Sequence, residues 1–125
     1  GLLAAAKRGS RATNEGLVEA YVHSGNRIGA LVELNCETDF VSRTEEFQAL
    51  AHDVAMQVAA MAPLYLAVEE IPKDDNFNPE EVCLLQQPFI RDPGRTIQDL
   101  IDDARAKTGE NIIVRRFTRF TLGQD

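Results

Sequence analysis

The chain has 125 residues, 44% of them hydrophobic and 26% charged, with a formal net charge of −7. That size and balance fit one globular domain with a true core, and the acidity excludes broad affinity for nucleic-acid phosphates, which demand a basic surface. Two cysteines, Cys36 and Cys83, make no disulfide framework and fit a reducing compartment; no apolar run approaches the ~20 residues of a membrane-spanning helix.

Along the chain, residues 1–14 are small and basic and read as an extension or linker, with the domain proper in residues 15–125. Leu17 to His23 alternates as a strand, with Val18, Ala20 and Val22 on one face and Glu19, Tyr21 and His23 on the other. Ser24-Gly25-Asn26 supplies turn residues, and Ile28 to Leu34 resumes the alternation. Two period-2 runs around a short Gly/Asn turn predict a β-hairpin.

Ser42 with Glu45 forms a capping-box pattern opening a helix that runs to about Met61. Its apolar stripe is Phe47, Leu50, Ala51, Val54, Ala55, Val58 and Met61, with Gln57 among the polar residues lying away from it. Pro63 ends it. Leu64 to Val68 reads as an edge strand, 72–81 as a loop, and Val82 to Leu85 as another short strand.

Thr96 with Asp99 repeats the capping pattern, Ile97, Leu100, Ile101 and Ala104 line one side of a second helix, and Gly109 suits its end. Ile112 to Leu122 is a long strand. The order predicts an α+β fold: a small antiparallel sheet of about three main strands with helices on one face. Such a sheet leaves a partly apolar second face, which invites a second copy of the chain.

Candidate chemistry is sparse. Cys36 and His23 fall at opposite ends of the hairpin, too far apart for a nucleophile and its base. Two histidines and two scattered cysteines offer no metal-ligand spacing, and no phosphate-cradling glycine loop occurs, so no catalytic residue, metal or cofactor is expected. Arg115, Arg116 and Arg119 are the densest basic group and read as strand surface. The junction Asn35 to Val41 carries more information: Asp39 stands beside the large aromatic Phe40 where a strand gives way to a helix. The pair reads as a contact tip aimed at another protein. A core-closing Phe40, with Asp39 capping the helix, fits the pattern equally.

The run from Gly29 through Asn35-Cys36-Glu37-Thr38-Asp39-Phe40-Val41 resembles the signature of the elongation factor Ts family, of bacterial and plastid type. Phe47-Gln48-Ala49-Leu50-Ala51, Met61-Ala62-Pro63, Leu84 to Phe89, and Gly109-Glu110-Asn111 through Phe117 resemble its following segments in the same order. The likeness covers roughly Glu15 to Gly123 and implies the core, or dimerisation, domain of that family. It implies a guanine-nucleotide exchange factor that binds elongation factor Tu, in its GDP-bound or nucleotide-free form, and releases GDP during translation elongation. Thr38, Asp39, Phe40 and Val41 would form the partner-binding tip near the magnesium and phosphate site, with Phe40 as the wedge.

The same resemblance implies a protein that is not an enzyme, works in the bacterial cytoplasm or plastid stroma, and touches neither nucleic acid nor membrane directly. It forms a homodimer by sheet-on-sheet packing, for which Phe117 and Phe120 are the candidate interface residues. Two departures stand out: the family's N-terminal helical domain has no counterpart, and Lys73 to Glu80 bridges a gap where members carry a longer helical insertion. These departures motivate the alternative of a ribosome-associated or structural dimer module of the same fold without exchange activity.

Overall fold

The computed structural model describes residues 11–124, so all but the last four residues of the 1–14 extension lie outside the described part. Strands β1 (Glu15–Val22) and β2 (Ile28–Cys36) form the expected hairpin. Its turn closes through His23 N donating to Ile28 O at 2.9 Å, with Gly25 and Asn26 at positive φ. Strand β5 (Ile113–Thr121) pairs antiparallel with the other edge of β2, giving the order β1-β2-β5. A register shift opposite Glu33 and Leu34 leaves Arg115 without a partner position, a bulge that bends the end of β5.

The one-turn helix α1 (Asp39–Ser42) follows β2, and α2 (Glu45–Met61) then crosses one face of the sheet. Phe47, Leu50, Ala51, Val54, Ala55 and Val58 of α2 are buried against Ala30, Val32 and Leu34 of β2. The core is completed by Leu84, Phe89, Ile112, Val114 and, from α4 (Ile97–Thr108), Ile97 and Ile101. This is the anticipated α+β architecture, with the three-stranded sheet covered on one side.

Facing is set by register. Leu17 lies opposite Leu34 and Tyr21 opposite Ala30, so Leu17, Glu19 and Tyr21 share the helix side. Val18, Ala20 and Val22 therefore point to the uncovered side.

Several local expectations are corrected. The cap of α2 is Thr44, whose Oγ1 accepts from Phe47 N at 3.2 Å, and Ser42 instead ends α1. Sequence spacing favoured Ser42 because its partner Glu45 stands three residues on, but the chain makes a second turn between them. Gln57 is fully buried: its Nε2 donates to Gln87 Oε1 and Pro88 O, and its Oε1 accepts from Ile90 N at 3.0 Å. A polar side chain can sit in the apolar stripe when every polar atom is satisfied.

Leu64 to Val68 does not form an edge strand. Glu70 Oε2 accepts from Leu66 N at 2.6 Å and takes over the role of a ladder partner, leaving a single bridge between Tyr65 and Cys83 and a 3₁₀ turn over 68–70. Leu84–Gln86 is likewise a 3₁₀ turn rather than strand. The loop holds a short helix, α3 (Pro79–Val82), capped by Asn78. A small hairpin of β3 (Pro88–Phe89) and β4 (Asp92–Thr96) precedes α4, whose Thr96/Asp99 capping box and Gly109 terminus are as expected. Among the described residues no helix is long and apolar enough to cross a membrane.

Candidate functional site

The junction after β2 is built on one helical turn. Thr38 has extended backbone and caps α1, its Oγ1 accepting from Val41 N at 3.4 Å. Ser42 Oγ donates to Asp39 O at 3.1 Å, and Thr44 Oγ1 donates to Val41 O at 2.8 Å, so the turn runs directly into the cap of α2. Residues along a helix step by about 100°. With Val41 packed on the core and Ser42 buried, Asp39 and Phe40 are carried to the outside.

Phe40 is 83% exposed. The core-closing arrangement is thereby excluded for this side chain, and the helix cap is Thr38, not Asp39. Asp39 pairs with Arg43 at 3.2 Å, one turn on. Both partners are exposed, so the pair adds little stability and leaves the carboxylate available.

Beneath the tip lies a polar clasp that sequence reasoning did not single out. Glu110, just past the end of α4, accepts from Glu37 N and Thr38 N at 3.1 Å each. Its other oxygen accepts from Thr38 Oγ1 at 2.6 Å. In return, Asn111 N donates to the Glu37 carboxylate, which also lies 3.7 Å from the Arg11 guanidinium. Arg11 donates to Gly109 O at 3.2 Å. The only sequence signal is that Gly109, left-handed at φ 74°, ends α4 and sends the next residues across the end of β2.

Cys36 is buried, and its Sγ donates to Thr38 O at 3.1 Å. Burial, with the nearby Glu110 carboxylate second, pushes this thiol up to about 11. A thiol kept protonated is no nucleophile. His23 lies beyond the far end of the hairpin, where its Nδ1 is 3.0 Å from Tyr21 hydroxyl. Among the described residues no three His, Cys, Asp or Glu side chains cluster as a metal would need. Cys36 and His23 are thus neither close to each other nor activated as a nucleophile and its base.

The two phenylalanines of β5 separate. Phe120 is 73% exposed on the uncovered sheet face, with Val18 at 65%, Val22 at 61% and Leu31 at 45%. Phe117 sits opposite Val32 and packs on the core side. The arginines divide as well: Arg119 Nε donates to Ala59 O at 3.0 Å and ties β5 to α2, while Arg116 Nε donates to Glu33 Oε1 at 2.9 Å on the open face. That hydrogen bond is the main cause holding the Glu33 carboxyl below its usual range.

Comparison with known proteins adds an independent line. The family model described as Elongation factor TS matches residues 5–78. The chain is 47% identical to Elongation factor Ts of Heliobacterium modesticaldum, over 99% of this chain and 72% of that protein. It is 46% identical to the protein of that name from Moorella thermoacetica, over 99% and 76% respectively. For Anaeromyxobacter sp. strain Fw109-5 the identity is 45%, over 99% and 70%. The alignment with the Heliobacterium protein runs over 154 positions. This chain has 125 residues, so at least 29 positions of that alignment have no counterpart here.

Proposed function

The chain belongs to the elongation factor Ts family, and from that premise we propose that it is a guanine-nucleotide exchange factor for elongation factor Tu in bacterial translation elongation. In this reading Thr38, Asp39, Phe40 and Val41 form the tip that enters the GTPase near its magnesium and phosphate site. Phe40 is the wedge, Asp39 its polar neighbour, and Thr38 and Val41 fix the turn. The observation that carries the reading is the 83% exposure of Phe40 on a turn whose neighbours are all held.

The energetics are of the right size. Burying a phenylalanine side chain in a partner is worth about 1.5–3 kcal/mol. Coupling between two ligands of one protein is typically ~1–3 kcal/mol and is reciprocal. A wedge of this kind weakens GDP by as much as GDP weakens the wedge's hold. No bond is made or broken, so no acid, base or metal from this chain is required.

Release of a fluorescent GDP analogue from elongation factor Tu tests the proposal. The wild-type chain accelerates release, and Phe40→Ala loses about 10- to 150-fold of that acceleration, the equivalent of the buried ring. Wild-type protein without effect would sink the exchange reading and leave the structural-module alternative.

We further propose a homodimer through the open face of the sheet. Val18, Val22, Leu31 and Phe120 leave apolar side chains exposed on it beside the Arg116–Glu33 pair, a surface that a second sheet can cover. Phe120 is the central residue of this reading; Phe117, facing the core, contributes only by supporting β5. Sedimentation at micromolar concentration measures the mass directly, and a monomer there would refute it.

A further inference from the structure

We propose that Glu110 is the positioning residue of the tip: a carboxylate delivered by the turn between α4 and β5 that sets the direction in which Phe40 projects. The inference rests on the exchange reading for its functional consequence, though its structural content stands on the clasp alone.

Helix α1 has four residues. One turn fixes several backbone dihedrals for very few hydrogen bonds, so a helix this short does not hold itself. Its orientation has to come from contacts outside it. Val41 supplies an apolar one. Thr44 Oγ1 supplies a polar one by donating to Val41 O. The residues that lead into α1 are held by a single carboxylate more than 70 residues away in sequence, which accepts from Glu37 N, Thr38 N and Thr38 Oγ1.

The hydroxyl is the critical group. Thr38 Oγ1 has one proton and two lone pairs. The hydroxyl donates to Glu110 Oε2 at 2.6 Å, which leaves its lone pairs to accept from Val41 N at 3.4 Å. Glu110 thus orients the cap of α1 as well as the two amides before it. The reciprocal bond from Asn111 N to the Glu37 carboxylate closes the clasp from the other side. Charge-assisted bonds of this kind are the stronger class.

Without Glu110 three donors lose their partner and α1 frays. Phe40 then samples many directions, and ordering it opposes the seating of the ring after the rest of the chain has docked, which is the general cost of a contact that is not preorganised. Because the wedge acts only when seated, the loss falls on the maximal rate of nucleotide release more than on the concentration at which release is half-maximal.

The experiment has two arms. In the first, fluorescent GDP release from elongation factor Tu is followed over a concentration series of wild type, Glu110→Ala, Glu110→Gln, Phe40→Ala and the Glu110→Ala/Phe40→Ala double variant. Glu110→Ala lowers the maximal rate about tenfold, the scale of lost hydrogen bonds to a charged acceptor. Glu110→Gln keeps an acceptor oxygen for the two amides but puts an amide NH2 opposite the Thr38 hydroxyl, so it recovers only part of the loss. In the Phe40→Ala background the same alanine change costs less than about twofold, since residues acting as a unit are not additive. An equal loss in both backgrounds, or a wild-type rate for Glu110→Ala, overturns the proposal.

The second arm needs no partner. Amide hydrogen exchange of Glu110→Ala shows faster exchange over residues 38–43, with the amides of α2 from Val54 to Val58 unchanged. Unaltered protection at the tip overturns the positioning role whatever the first arm gives. If wild type fails to release GDP, the exchange reading falls by itself and the amide measurement still decides the role of Glu110. Loss of protection in α2 as well would mark Glu110 as a general fold residue and count against it.

Discussion

Phe40 and Phe120 are both largely exposed, at 83% and 73%, yet their surroundings differ in kind. Phe40 projects alone from a single helical turn, with a carboxylate beside it and a polar clasp beneath. Phe120 lies in a sheet among Val22, Leu31 and Leu122, other apolar side chains left in water. A lone projecting ring suits a pocket in a differently shaped partner, whereas several apolar side chains spread over a sheet suit another extended face. Exposure by itself marks a surface as unfinished; shape and neighbours indicate what finishes it.

The largest way to break this comparison is to damage both regions at once. Gly16 has φ 143°, and a Cβ there would lie 2.2 Å from Leu34 O and 2.7 Å from Asn35 Cα. Gly16→Ala pushes β1 away from the segment that leads into the tip. An expected loss of about 2–4 kcal/mol follows from a backbone clash at a conformation L residues rarely adopt. Urea unfolding measures it, and a change under 0.5 kcal/mol would contradict the close approach.

Phe120→Asp separates the two regions. On the dimer reading the variant keeps its folded circular-dichroism signal but sediments as a monomer where wild type sediments as a dimer, and its unfolding free energy falls by the subunit contacts it loses. Its exchange activity per chain persists, because Phe120 pairs with Gly29 near the start of β2 whereas the tip follows the opposite end of that strand. Loss of exchange with loss of the dimer would show that the two surfaces are one device.

Thr44→Ala sharpens the tip side. Removing the Oγ1 that receives Phe47 N costs about 1 kcal/mol, read as roughly 4 °C in thermal unfolding. The hydroxyl also donates to Val41 O, so a modest fall in exchange accompanies it. An unchanged melting temperature would move the start of α2 elsewhere.

A pH dependence at Cys36 tests the burial beneath the tip. Its thiol titrates at about 11 in the folded chain against 9.0 for a free thiol. Between those values the unfolded chain has released its proton and the folded chain has not, so the neutral form stabilises the fold below pH 9 and that contribution is lost as pH rises toward 11. Cys36→Ser flattens this alkaline limb in unfolding titrations. Alkylation of native protein at pH 8 leaves Cys36 essentially unmodified; rapid labelling there would refute the buried, protonated thiol.

Much of the architecture was legible because its causes are local. The hairpin followed from two alternating runs around Gly25 and Asn26, and α4 from the Thr96/Asp99 box and Gly109. The three-strand sheet followed from their order. Where a residue had two possible local roles, legibility ended: Ser42, with Glu45 three residues on, carried the capping pattern, while Thr44 caps α2 through Phe47 N, and only the extra turn of α1 chose between them. Gln57 looked solvated because its three partners lie 30 to 33 residues away. The stretch 64–68 looked like strand because β propensity does not reveal that Glu70 supplies the missing acceptor.

The sequence by itself determined the first hairpin, the two long helices, the last strand and the family, since periodicity, turn chemistry and a contiguous motif are all written within a few residues of one another. Only the tertiary structure decided that Phe40 points outward, that the Val18 side of β1 is the uncovered one, and that Glu110 grips Thr38. Each of these depends on strand register or on groups distant in the chain, and such pairings are fixed by packing rather than by neighbours in sequence.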